Sequence, residues 1–324
     1  MINQRTARIG PLYRVGMIAM KNNEMPSHHG VEVSVDGRYP NQTLKLLIER
    51  ASCRSFSDKK IPPHILQFIL SAGIHAPTGG NLQPYSIIKI ENNEAKQKLA
   101  EKCGQDFIGK APVLLLFCID FHRLERWAKL ETAPFTATSA FPHFWTSFID
   151  TVTCAQNICT AADSLGIGSV YIGTIIEFFN DIKEMFQLPK GVLPVILLCL
   201  GYPETKPTPR KKLDPKIIVH TEKYQEIEDQ KLIDAFKEKY PDLKVEITKE
   251  RLETISQVCQ KVHGKEFAKK CVEKIRKSGY INPVQRYFGL HYRADLMPRN
   301  NDKYLKTMEK FGFNWFKKYH PKRP

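Results

Sequence analysis

The rhythm of apolar positions changes along the chain, and each change predicts an element. Leu44, Leu47 and Ile48 fall on one helical face that ends near Arg50. Pro62 and Pro63 open a second helix with Ile65, Phe68, Ile69 and Ala72 on one side; proline suits a first turn, where its missing N–H is not needed. Thr78-Gly79-Gly80-Asn81 interrupts the pattern as a loop. Residues 86–90 read as a strand and 95–103 as a helix. Residues 112–119 form an unbroken apolar run of strand length, which predicts a strand buried on both faces. Residues 121–146 are rich in aromatics and broken by Pro134 and Pro142. They are expected to be irregular, either a lid or dimer core. Beyond them the pattern predicts a long buried helix over 146–165, a short strand over 169–172, a helix over 178–186 and a buried strand over 193–200. Ile217–Val219, short and β-branched, is an edge-strand candidate.

These elements divide the chain into three parts. Residues 1–40 lack sustained periodicity and read as an N-terminal arm, in which His28 and His29 are expected to face solvent rather than hold a metal. Residues 41–222 carry the strands. After Glu222 the character turns to charged helices, expected over 223–240 and 249–277, so 223–324 reads as a basic helical C-terminal extension.

Composition sharpens this picture. The chain has 324 residues, 42% hydrophobic, enough for a sizeable core. Lys and Arg number 49 against 34 Asp and Glu, net +15. Residues 245–324 hold 19 of those cations and 8 of the anions, so +11 lies there. Such a region favours anionic partners. Aromatics interleaved with Arg286, Arg293, Arg299 and Lys303 could stack on single-stranded nucleic acid, but a small helical core with solvated lysines is the expected arrangement. No apolar run reaches the ~18–20 residues of a membrane span. The short run 15–20 after Arg5, Arg8 and Arg14 makes a poor signal peptide, so a cytoplasmic protein is expected. Eight cysteines form no CxxC pair, which removes the spacing of a zinc or iron–sulfur site and suggests free thiols in a reducing compartment.

Three clusters carry candidate chemistry. In Arg50-Ala51-Ser52-Cys53-Arg54, two guanidinium groups flank a hydroxyl, which suits a phosphate and a polyol; cations offsetting a helix dipole are the other reading. In Ala76 to Pro84, two glycines let backbone approach a flat ligand, and Asn81 and Gln83 bring amides that could meet a ring edge. An ordinary turn has the same composition. The glycines of 166–173 follow a helix and enter a strand, the reverse of a dinucleotide fingerprint. Gly173 could still leave backbone N–H groups facing a ligand. His75 and Cys53 are expected to be packing residues.

Taken together, the clusters resemble the nitroreductase-like flavoprotein family. The resemblance rests on Arg50-x-Ser52-x-Arg54, Ile61-Pro62, the run Ala76 to Pro84, the apolar strand from Ala111, Ala155-Gln156-Asn157 leading to Gly168, and Pro194 through Gly201-Tyr202-Pro203 to Lys212. It spans about residues 43–220; Tyr85 stands where the family often has Trp.

The resemblance implies an α+β fold: a central mixed or antiparallel sheet flanked by helices, in a homodimer with FMN at the interface. Arg50, Ser52 and Arg54 would hold the phosphate and ribityl chain, completed by Arg210 and Lys212. Thr78, Asn81 and Gln83 would lie against the ribityl and ring, and Ile172 and Gly173 would place backbone near its N5 side. Ile217–Val219 would cross to the partner's sheet. The implied activity passes hydride from NADH or NADPH through the flavin to a small, flat aromatic acceptor. No catalytic triad is needed. A flavin-binding regulatory protein contacting nucleic acid, or a flavin-dependent dehalogenase, are the alternatives.

Overall fold

A computed structural model of the chain describes residues 39–319. The arm of residues 1–38, with His28 and His29, lies outside the described residues. Two compact units divide the chain, residues 1–48 and 49–324. In the first, helix α1 (Gln42–Glu49) begins where the Asn41 side chain accepts from the Leu44 N–H.

The second unit is built on four strands: β1 (Tyr85–Ile90), β2 (Val113–Asp120), β3 (Gly168–Ile172) and β4 (Val192–Gly201). They are ordered β1-β2-β4-β3 and pair antiparallel throughout, so the mixed-or-antiparallel expectation resolves to antiparallel. Leu116 sits opposite Ile88 on one side and Leu197 on the other. All eight residues of β2 are buried, as its unbroken apolar run predicts.

Alternation sends the strands' side chains into two cores. On one face Leu114, Leu116, Cys118, Val170, Ile172, Leu197 and Cys199 pack with Leu99 of α3 (Asn93–Cys103), Ile108 of α4 (Phe107–Lys110), Phe121 of α5 (Phe121–Leu130) and Ile182 of α7 (Phe179–Met185). On the other, Leu115, Phe117, Leu198 and Leu200 meet Leu66 and Ile69 of α2 (Pro63–Ile74) and Cys154, Ile158 and Ala162 of α6 (Phe141–Ser164). Each fully buried Leu or Ile contributes about 1.5–3 kcal/mol. A Cβ on Gly73 would stand 2.4 Å from Ile158, so α2 and α6 close tightly only because that residue is glycine.

Past β4 come α8 (Pro215–Ile218), α9 (Asp229–Lys239), α10 (Lys249–His263), α11 (Lys265–Ser278), α12 (Pro283–Arg286) and α13 (Asn301–Lys310). Ile255, Ile275 and Ile281 form a small separate core, with Val245 bridging Ile281. After α13 the chain returns to the sheet. Met308, Phe311 and Phe313 join the first core, and the Gly191 N–H donates to the Phe311 carbonyl at 2.7 Å. Phe313 packs on Phe121 at 5.9 Å between centroids, and Trp315 on Phe144 at 4.1 Å. These rings are committed to packing rather than offered for base stacking.

Four expectations are corrected. Residues 121–146 are largely helical: Asp120 caps α5 by accepting from the Arg123 N–H, and α6 starts at Phe141 because Pro142 fits its first turn. Ile217–Val219 forms no strand. The Asp214 side chain accepts from the Lys216 N–H and Pro215 opens a helical turn, so the strand expected to cross to a partner is absent there. Gly264, at φ 88°, divides the helix expected over 249–277 into α10 and α11. The helix expected from 223 begins at Asp229. Among the described residues no helix is long and apolar enough to cross a membrane, and no cluster of His, Cys, Asp or Glu could hold a metal ion.

Candidate functional site

Backbone pairing beyond the sheet edge assembles the site. The Cys53 N–H donates to the Ser169 carbonyl at 2.9 Å, and the Ser57 N–H to the Tyr202 carbonyl at 2.9 Å. Phe56 bridges Pro203, and the Glu204 N–H donates to the Ser55 carbonyl. Segment 50–57 therefore runs beside the end of β4 and fixes 50–54 against the linker that follows. Close approach depends on Gly168, where a Cβ would lie 2.6 Å from the Cβ of Cys53.

The result is a cleft of about 450 Å³ whose lining includes Arg50, Ser52, Arg54, Arg210 and Lys212. Five expected residues from two distant segments thus meet in one place. Their charges are unequally compensated. Arg50 lies 3.1 Å from the Asp163 carboxylate, Nε to Oδ2, and its Nη2 donates to Ser169 Oγ at 2.9 Å. Burial pushes the Asp163 carboxyl up to about 6, although the charge of Arg50 pulls it back. Arg54, Arg210 and Lys212 have no carboxylate partner among the described residues; the intervening Lys211 pairs with Glu238. Three cations without a carboxylate partner among the described residues, a fourth held in place and a serine hydroxyl form a donor set of the kind a phosphate ester needs, at about 1.5–3 kcal/mol per charge-assisted bond.

Thr78, Asn81 and Gln83 do not line this cleft. They occupy the turn between α2 and β1, and that turn is strained. Gly80, Asn81 and Gln83 have φ of 59°, 56° and 48°; left-handed backbone costs a non-glycine residue about 1–2 kcal/mol. The Gln83 N–H donates to Thr78 Oγ1, and its side-chain amide to the Ile74 carbonyl. Asn81 is exposed and its side chain has no partner among the described residues. Ile172 is buried in the first core, while Gly173 is exposed just beyond β3. Sequence reasoning missed Asp163 and Ser169, which hold Arg50, and Asp150 and Arg123, which hold the strained turn.

A four-stranded antiparallel sheet between helical layers, with a cationic cleft at its edge, defines an α+β enzyme scaffold for a phosphorylated organic ligand. The chain belongs to the Nitroreductase family, which matches residues 47–202. It is 32% identical over 197 residues to an oxygen-insensitive NADPH nitroreductase of Salmonella typhimurium, covering 60% of this chain and 80% of that protein. It is 30% identical to an NADPH-flavin oxidoreductase of Vibrio harveyi, covering 58% and 76%. Among solved structures, an NADPH:FMN oxidoreductase from Vibrio harveyi complexed with NAD+ superposes with a TM-score of 0.57 at 28% identity, covering 61% and 84%. A hypothetical oxidoreductase from Bacillus subtilis superposes at 0.65 and 26%, covering 86% and 100%.

Proposed function

We propose that this chain is an FMN-dependent oxidoreductase that takes hydride from NADH or NADPH and passes it to a small, flat aromatic acceptor. The observation that carries this reading is the cleft: Arg54, Arg210 and Lys212 converge there with no carboxylate partner among the described residues. That donor set fits the phosphate of FMN. Arg54, Arg210 and Lys212 would bind its oxygens, Ser52 would donate from its hydroxyl, and Arg50 would complete the site from its anchored position. Thr78, Asn81 and Gln83 would meet the ribityl chain and ring, with the backbone of Ile172 and Gly173 on the N5 side. Bound there, FMN supplies the hydride chemistry, and the protein supplies orientation and charge.

The reading includes a homodimer. Phe68 on α2 and Trp145 and Ile149 on α6 are 68%, 56% and 51% exposed, an apolar surface suited to a second copy. Purified protein is expected to be yellow, to release FMN on denaturation, and to bleach anaerobically with NADH or NADPH. Colourless protein that cannot be reconstituted with FMN refutes the reading. Sedimentation of the holoenzyme as a monomer refutes the dimer.

A further inference from the structure

The turn at 79–83 carries a second set of contacts that the phosphate cleft does not use. Its backbone is left-handed at Gly80, Asn81 and Gln83, yet Gly79 to Leu82 are exposed and pack little against the body. Something other than burial must hold this conformation. At the leading end, the Gly79 N–H donates to both oxygens of Asp150, at 3.2 and 3.1 Å. Asp150 belongs to α6 and is 6% exposed. A carboxylate in so dry a place is unfavourable unless it is bonded, and burial pushes its carboxyl above the ordinary range while the Gly79 N–H pulls it back.

At the trailing end stands a guanidinium. Arg123 Nη2 donates to the carbonyls of Gln83 and Tyr85. Arg123 is itself set by Asp120, which accepts from its N–H and from Ser86 Oγ. The two groups arrive from different helices, α6 and α5, and grip opposite ends of one turn. Charged groups make the stronger hydrogen bonds, so these contacts can oppose the strain of the two left-handed non-glycine residues, Asn81 and Gln83. Strain held this way keeps a ligand-facing segment in one shape before the ligand arrives.

We propose that Asp150 and Arg123 are positioning residues, a two-ended clamp that preorganises the 79–83 turn for the flavin ring. The proposal rests on the FMN reading, but it assigns a role to residues outside the phosphate cleft. The clamp acts on the ring end of the ligand, so riboflavin, which lacks the phosphate, separates the two.

The test compares FMN and riboflavin binding, by flavin fluorescence quenching, in wild type, Asp150→Ala, Arg123→Ala and Arg54→Ala. Amide hydrogen exchange over residues 79–85 and the bound flavin's visible spectrum are measured alongside. Asp150→Ala and Arg123→Ala are expected to weaken both ligands by the same factor, roughly tenfold, to speed exchange in the turn and to shift the spectrum. Arg54→Ala is expected to weaken FMN alone. Asp150→Asn, which keeps an acceptor for Gly79, and Arg123→Lys, which keeps a donor, are expected to recover part of the loss. Arg123 is exposed, so its variants keep the measurement available if Asp150→Ala fails to fold. Unchanged exchange in the clamp variants overturns the proposal, as does faster exchange with both affinities unaltered. If the wild type binds neither flavin, the proposal and the FMN reading fall together. If wild type and Arg54→Ala behave as expected and the clamp variants bind normally, the clamp alone falls.

Discussion

Arg50 and Arg54 flank the same serine, yet the structure predicts different consequences of removing them. Arg54→Ala deletes a cation that pairs with no carboxylate among the described residues. Its effect on folding should stay within about 0.5 kcal/mol. FMN affinity should fall at least tenfold, about 1.4 kcal/mol, which is one charged contact of about 1.5–3 kcal/mol discounted for a solvated cleft. Arg50→Ala also strands Asp163. The two side chains are 20% and 14% exposed. Breaking a fully buried pair costs about 3–5 kcal/mol, and the water that reaches this one reduces that to about 2. At about 2.1 cal/mol/K of unfolding entropy per residue, that loss should lower the melting temperature of a 324-residue chain by about 3 °C. Scanning calorimetry of the apo-protein and FMN titration at low salt measure the two effects separately. Adding Asp163→Asn to Arg50→Ala removes the stranded charge, and should restore most of the melting temperature and none of the affinity. Equal thermal losses in the two single variants, or a double variant as unstable as Arg50→Ala, would refute the assignment of Arg50 as an internally anchored cation.

The remaining predictions concern the frame around the site. The folded Asp163 carboxyl sits at about 6, above its ordinary value near 3.9, so the folded state binds this proton more tightly than the unfolded one. Wild type should therefore gain stability on Asp163→Asn as pH falls from 6 to 4, by up to about 1.4 kcal/mol per pH unit; urea melts showing a flat difference contradict this. Gly168→Ala should destabilise by about 1–3 kcal/mol and weaken FMN binding as well, because the new methyl meets Cys53 and Pro203 beside the cleft; a melting temperature equal to wild type sinks the idea. Phe311→Ala should cost about 3–5 kcal/mol, since the ring is fully buried in the sheet's own core; a loss confined to the last helix, seen by hydrogen exchange, would contradict that placement.

The sheet was legible because its signals are local. The apolar run over 112–119 has the length of a doubly buried strand, and 193–200 repeats the pattern; the structure shows both as β2 and β4. The cationic cleft was legible from Arg50-x-Ser52-x-Arg54 and Arg210-x-Lys212, since each segment is polar where the surrounding strands are not. What failed to show is what depends on distant partners. Nothing near Arg50 announces Asp163, which reaches it from the last turn of α6. Arg123 looks like an ordinary helix cation until the fold places it under the carbonyls of Gln83 and Tyr85. Two misreadings had local remedies. Asp120 before α5 and Asp214-Pro215 before α8 are helix starts, and those capping signals outweigh proline breaks and β-branched propensity. The unpaired aromatic pattern of 280–315 could not reveal that Phe311 and Phe313 pack on Phe121 and Phe179.

That return of the chain also bears on how the protein is made. Phe121 and Phe313 touch, yet about 190 residues of synthesis separate them, and closing so long a loop is slow even where its entropy is modest. While a nascent chain is still on the ribosome, the sheet and its first helices can be complete, but the core they share lacks Met308, Phe311 and Phe313 until residues 308–313 emerge. That interval exposes the surface that chaperones bind and that aggregates form from. Cutting the chain near residue 222 would reproduce the unfinished state permanently, so insolubility of such a fragment reports a missing wall of the core rather than a lost partner.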